Sequence, residues 1–126
     1  MSGSRFLLDT NAVVALLAGQ GTIGATLNDA DWIGISVITK IEFLVFQDLD
    51  AHDRELFDDF EKLVEVVGID SKDSALIKRT IALRKAYGLK VPDAIVGATA
   101  MENSATLITL DDDFRRVQEL VVLPVG

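Results

Sequence analysis

Arg5-Phe6-Leu7-Leu8-Asp9-Thr10-Asn11-Ala12-Val13-Val14-Ala15-Leu16-Leu17 opens the fold. Four residues rich in large apolar side chains run up to an acid, a hydroxyl and an amide. A helical pattern over Ala12 to Leu17 follows. A short, nearly continuous apolar run of this kind suits a strand buried on both faces. The polar trio behind it is the composition that starts helices. The same phrase, strand then polar step then helix, recurs along the chain. Further strands are expected at Ile33 to Val37, Val64 to Ile69, Thr106 to Thr109 and Leu120 to Leu123, with the first at Arg5 to Leu8. Helical patterns lie at Ile23 to Asp29, Ile38 to Asp48, Ala51 to Leu63, Ser71 to Tyr87 and Pro92 to Asn103. The Ser71 helix carries Leu76, Thr80, Leu83 and Tyr87 on one stripe and Lys78 and Lys85 opposite. Gly88 is placed to end it and Pro92 to begin the next. Strands alternating with helices predict an α/β domain around a parallel sheet. At 126 residues, with no repeat, low-complexity tract or Pro/Gly-rich linker, residues 1–126 read as one domain.

Composition narrows the chemistry. Hydrophobic residues are 49% and charged residues 25%, which suits a folded globule. There is no cysteine and one histidine, His52, set among Asp50, Asp53 and Glu55 and read as a surface residue. Disulfides, thiol nucleophiles and cysteine-ligated zinc are therefore excluded, and a Ser-His-Asp relay has almost no material. What remains is carboxylates, hydroxyls, amides, Lys and Arg, an inventory suited to hard cations with oxygen ligands, chiefly magnesium or manganese. No apolar run approaches a membrane span, and Phe6-Leu7-Leu8 meets Asp9 too early for a signal peptide. A cytoplasmic location without membrane contact is expected. The formal net charge of −8 counts against nucleic-acid binding unless the acids gather where cations fill the site.

In a parallel α/β sheet the ligand site lies beyond the carboxyl ends of the strands. Four acids are expected there. Asp9 follows the first strand, and Asp111 follows Leu107 to Leu110. Glu42 lies about a turn into the segment leaving the Ile33 strand, and Asp93 stands in the first turn of a helix. Taken singly, each has an ordinary structural explanation. Asp9 can cap a helix, Asp93 can complement a helix dipole, and Asp111-Asp112-Asp113 can be a polar turn. Glu42, among Ile41, Phe43, Leu44 and Val45, is expected either to face a polar cleft or cation or to pair with Lys40 or Arg5. If the four converge, their repulsion at ~4 Å is worth ~4 kcal/mol per pair at an effective dielectric of 20, which a raised pKa or a divalent cation relieves.

The ordered pieces Leu7-Leu8-Asp9-Thr10-Asn11, Ser36 to Glu42, Val91 to Ala100 and Leu107 to Phe114 resemble the PIN-domain family. Within it they resemble most closely the VapC-type toxins of toxin–antitoxin pairs. The resemblance runs through essentially the whole chain. It implies a three-layer α/β/α sandwich, magnesium or manganese dependence, endonucleolytic cleavage of RNA, a homodimer, and a cognate antitoxin whose segment occupies the groove beside the acids. Carried onto this sequence, it places Asp9, Glu42, Asp93 and Asp111 as the catalytic, metal-binding acids. Asp113 is an additional metal-binding acid, and Asn11 and Thr109 are supporting polar residues. Gly97 departs from the alanine expected in the helix after Asp93, at about 1 kcal/mol of helix propensity.

Lys78, Arg79, Arg84, Lys85 and Lys90 lead up to Asp93. They read first as the solvated face of a helix and second as a rim for phosphates; Arg115 and Arg116 carry the same two readings. A PIN-type RNA-processing nuclease without an antitoxin is the alternative within the family. Outside it, a phosphorelay receiver domain would want an early acidic pair and a Lys near Thr106 to Asp111. A haloacid-dehalogenase-type phosphatase would want two acids flanking one residue where Asp9-Thr10-Asn11 stands. No such Lys stands there, and the trio supplies only one acid; a magnesium-binding receiver domain stays the alternative outside the family, with a non-catalytic binding module beside it.

Overall fold

The structure, a computed structural model, describes residues 4–125. Five strands form one sheet in the order β3-β2-β1-β4-β5, and every pairing is parallel. They are β1 (Arg5–Leu8), β2 (Trp32–Ser36), β3 (Glu65–Val67), β4 (Thr106–Ile108) and β5 (Val122–Leu123). Among the described residues the helices are α1 (Thr10–Leu17), α2 (Ile23–Leu27), α3 (Val37–Leu44), α4 (Ala51–Glu61), α5 (Ser74–Tyr87) and α6 (Val91–Glu102), with a 3-10 turn at Asp112–Arg116. The chain leaves β1 toward β2 and β3 on one side, and returns to β4 and β5 on the other. The order therefore reverses at β1, where such sheets open a crevice.

Alternation along the strands splits the core into two layers. Leu7 and Leu107 face a cluster with Leu76 and Leu83 of α5, Ala94 and Val96 of α6, and Phe114. Leu8, Ile35 and Ile108 face the other, with Ala12 and Val13 of α1, Ile23 of α2, Phe43 of α3 and Phe57 of α4. Helices thus cover both faces of a parallel sheet: the three-layer α/β/α architecture. No helix of the described residues is long and apolar enough to cross a membrane.

All eleven expected elements form, and the differences lie at their ends. The second strand starts at Trp32 and stops at Ser36, because the Ser36 hydroxyl accepts from Ile38 N (3.1 Å) and turns Val37 into the first residue of α3. That helix ends at Leu44 rather than Asp48. The fifth begins at Ser74 rather than Ser71, since Asp70 holds Lys72 N (2.8 Å) in a turn. Pro92 is the second residue of α6 rather than the first, still within the turn where its missing N–H is harmless. Gly88 closes α5 in the left-handed region (φ 69°), and Arg84 donates to the carbonyls of Gly88 and Leu89.

Gly97 also has a packing reason. A Cβ there would meet Leu83 Cδ1 at 3.3 Å and a Phe114 ring carbon at 3.6 Å. The missing methyl lets α6 close against α5, and the lost helix propensity is set against that contact.

The largest aromatic contacts brace the other layer. Phe57 is fully buried, with its ring 4.6 Å from that of Phe43 and 6.1 Å from that of Phe60. Truncation there would leave a cavity under α4. Phe57→Ala should cost about 3–5 kcal/mol of unfolding free energy, measured by urea denaturation; a loss below ~1 kcal/mol would show that α4 collapses to fill the space.

Candidate active site

Asp9 leaves the end of β1, and its backbone N–H still donates to Ile108 O (3.0 Å), so β1 and β4 carry it together. It caps α1, with Oδ1 accepting from Thr10 N (2.9 Å). The helix-cap reading is therefore true of it, and the cap leaves the other oxygen for a second task. Oδ2 accepts from the Thr109 hydroxyl (2.8 Å) and from Asn11 Nδ2 (3.5 Å). Thr109 Oγ1, buried, in turn accepts from Asp111 N (3.0 Å) and Asn11 Nδ2 (3.4 Å). Asn11 Oδ1 accepts from Leu110 N (2.8 Å). Residues about a hundred positions apart are thereby tied into one polar frame, in which Asn11 and Thr109 aim the Asp9 carboxylate and fix the backbone entering Asp111.

The other acids arrive on separate elements. Asp93 is half-buried in the first turn of α6. Asp111 caps the 3-10 turn, its Oδ1 accepting from Asp113 N (2.9 Å). Glu42, on α3, accepts from the Thr10 hydroxyl at 2.5 Å. Neither expected ion pair forms. Lys40 is held by Glu61 (2.6 Å), and Arg5 donates to Asn103 O and lies 4.6 Å over the Trp32 ring. Glu42 is exposed rather than embedded, because its apolar neighbours Ile41, Val45 and Phe46 are themselves 52%, 68% and 62% exposed.

Electrostatics shows that the four acids share a field. Burial pushes the Asp9 carboxyl above its ordinary range; the Thr109 and Thr10 hydrogen bonds pull it back, and the charges of Glu42 and Asp111 raise it again. Asp93 is also raised, by burial first and then by Asp9, Asp111 and Glu42, with Lys90 opposing. Asp9 thus feels two of the others and half-buried Asp93 all three. Asp113 is different. Its side chain is exposed, and what joins it to the group is its backbone N–H on Asp111.

The side chains gathered here decide which cation the site would suit. The acids' donors are all oxygens, as magnesium and manganese prefer. Their mutual repulsion is what a divalent charge relieves. Among the described residues no three acids stand close enough to hold one ion between them directly. An ion would draw the carboxylates inward or reach some of them through water.

The model of the PIN domain family matches residues 6–120, from within β1 to past the 3-10 turn. The chain belongs to the PIN-domain family. A toxin–antitoxin complex from Klebsiella pneumoniae contains a chain 30% identical to it, aligned over 91% of this PIN domain and 94% of that chain with a TM-score of 0.75. VapBC2 from Rickettsia felis, bound to a DNA fragment from its promoter, is 19% identical over 95% and 98% of the two chains, with a TM-score of 0.74. DNA-bound VapBC from Salmonella typhimurium is 17% identical over 98% and 99%, with a TM-score of 0.75. At those last two identities the likeness is one of fold. No curated protein matches the chain in sequence.

Two features of the PIN site escaped the sequence. Thr10 looked like part of a cap, yet its hydroxyl reaches Glu42 across 32 positions. Beside it lies an apolar groove of about 300 Å³, lined by Val14, Leu17, Phe43, Phe46, Leu49 and Leu56, with Thr10, Glu42 and Asp53 as polar members. The basic run divides. Arg79 is paired with Glu102 and Arg84 caps α5, while Lys78 and Lys85 are exposed and Lys90 stands near Asp93.

The raised carboxyls set a pH dependence. A carboxyl whose folded pKa lies above its unfolded one stabilises the fold at pH values below both, and that stability is lost as pH rises through the folded pKa. In metal-free buffer, Asp93→Asn should therefore raise Tm at pH 7, and the gain should vanish below about pH 4. Thermal melts across that range check it; an unchanged or lowered Tm at pH 7 would mean that the charge at Asp93 is not opposed.

Proposed function

We propose that the chain is a metal-dependent endoribonuclease, a single PIN domain over residues 1–126 that acts as the toxin of a toxin–antitoxin pair. The observation that carries this reading is the charge that Glu42 and Asp111 place on the raised carboxyls of Asp9 and Asp93, joined to the family match. Two carboxyls that are raised partly by acids on neighbouring elements, beyond the carboxyl ends of parallel strands, support an arrangement made for a cation rather than for stability alone.

Asp9, Asp93 and Asp111 would hold magnesium or manganese, with Glu42 and Asp113 completing the shell directly or through water. When bound, the ion supplies charge neutralisation at the scissile phosphate and a more acidic attacking water. The remaining roles fall to the chain. Thr109 and Asn11 keep the Asp9 carboxylate aimed, since Thr109 spends its only proton on Oδ2. Thr10 does the same for Glu42. With no cysteine and with His52 exposed on α4, proton transfer is left to carboxylates and water. Lys90, near Asp93, is the basic side chain best placed to meet an RNA phosphate beside the acids.

The groove favours the toxin reading over that of a processing nuclease. It is apolar, it opens beside Glu42, and exposed Val14 and Phe46 line it. An amphipathic segment of a cognate antitoxin would bury those side chains and lie against the acids, as the presence of an antitoxin in the Klebsiella pneumoniae complex suggests. A homodimer in the cytoplasm completes the proposal.

Cleavage of a mixed-sequence single-stranded RNA should require added manganese. Asp9→Asn and Asp93→Asn should each lower the rate by at least ~100-fold, beyond the 10–100-fold typical of groups that only support a metal ligand, while both variants keep a cooperative melt. Undiminished cleavage by either folded variant would remove these acids from the chemistry. Expression of the native chain should arrest bacterial growth, and Asp93→Asn should relieve the arrest.

A further inference from the structure

A threonine inside a helix ordinarily returns its hydroxyl proton to the carbonyl four residues back. Three in this chain do so: Thr26 to Thr22 O (3.2 Å), Thr80 to Leu76 O (2.8 Å) and Thr99 to Ile95 O (2.7 Å). Thr39 does not. It is the third residue of α3, so four residues back is Ile35, in β2, where sheet pairing rather than helix geometry directs the carbonyl. Thr39 is 0% exposed, and its Oγ1 has no hydrogen-bond partner among the described residues. A valine would fill the same space without burying an unsatisfied hydroxyl.

The position of this orphan group is informative. Thr39 precedes Glu42 by three residues, which makes them neighbours on the helix surface. Long side chains on a helix lean toward its N-terminus and cover the turn before their own Cα. Glu42 therefore lies over the turn that holds Thr39. Among the described residues Glu42 takes one side-chain hydrogen bond, from Thr10 to Oε1, and Oε2 takes none.

We propose that Thr39 is a positioning residue whose hydroxyl is kept for Glu42 in the cation-loaded state. When a divalent ion gathers the carboxylates, Glu42 settles inward and Thr39 Oγ1 donates to its second oxygen, so that Thr10 and Thr39 hold it from two sides. A buried hydroxyl without a protein partner is the cost of that arrangement. The inference rests on the nuclease reading above and adds to it a residue outside the acidic set.

Thr39→Val and Thr39→Ser separate the possibilities. In the absence of metal, Thr39→Val should melt a few degrees above the native chain, because an unsatisfied polar group is gone. Its manganese affinity, measured by calorimetry, should fall about tenfold, and kcat for RNA cleavage should fall with it while KM holds. Thr39→Ser, which keeps the hydroxyl, should restore both. Native manganese affinity in Thr39→Val, or a lowered metal-free Tm, would overturn the role of Thr39 while leaving the nuclease reading intact. A native chain that neither takes up manganese nor loses cleavage on Asp9→Asn would overturn that reading, and this inference with it.

Discussion

The Asp9 carboxylate is the point through which the rest of this molecule is organised. It sits at the end of the central strand, 6% exposed, and it faces two obligations at once. One oxygen closes the first turn of α1, and the other receives the Thr109 proton from the neighbouring strand. A buried charge is tolerated only when hydrogen bonds replace its water. Here those bonds also fix the angle between β1, α1 and the loop that carries Asp111. The same hydrogen bonds that make the charge bearable therefore build the site.

They do not fully offset the burial, since the Asp9 carboxyl remains above its ordinary range, as does that of Asp93. The fold thus holds charge that it does not itself neutralise. This is the usual sign of a functional constellation, because structural ion pairs bring their own counter-charge. Lys40 with Glu61 and Arg79 with Glu102 show how the chain pairs charges when pairing is the aim. At the strand ends Lys90 opposes the effect on Asp93 of burial and of three acids.

The two sides of this cluster differ in kind. Toward α1, α3 and α4 the surface is apolar and concave, with Glu42 and Thr10 at its border. Toward α6 the exposed Lys90 acts on Asp93. A partner that buries apolar surface and a substrate that brings phosphates would favour opposite sides of the same acids.

From residue order alone came the strand–helix alternation, the parallel sheet, and the four acids at strand ends and first helical turns. Those features depend on local periodicity and on helix-start chemistry, which act over a few residues. Element ends were blurred where a single side chain decided them, as Ser36 did for α3 and Asp70 did for α5. Only the tertiary structure revealed that Thr10 reaches Glu42, that the apolar company of Glu42 lies on the surface, and that Asp113 turns its carboxylate outward. It also left the Thr39 hydroxyl without a partner. The Thr10–Glu42 contact, like the Thr109–Asp9 bond, depends on how α1, α3 and the two central strands pack, across separations of 32 and 100 residues. Periodicity says which face of an element is buried; what that face meets is decided only when the layers close.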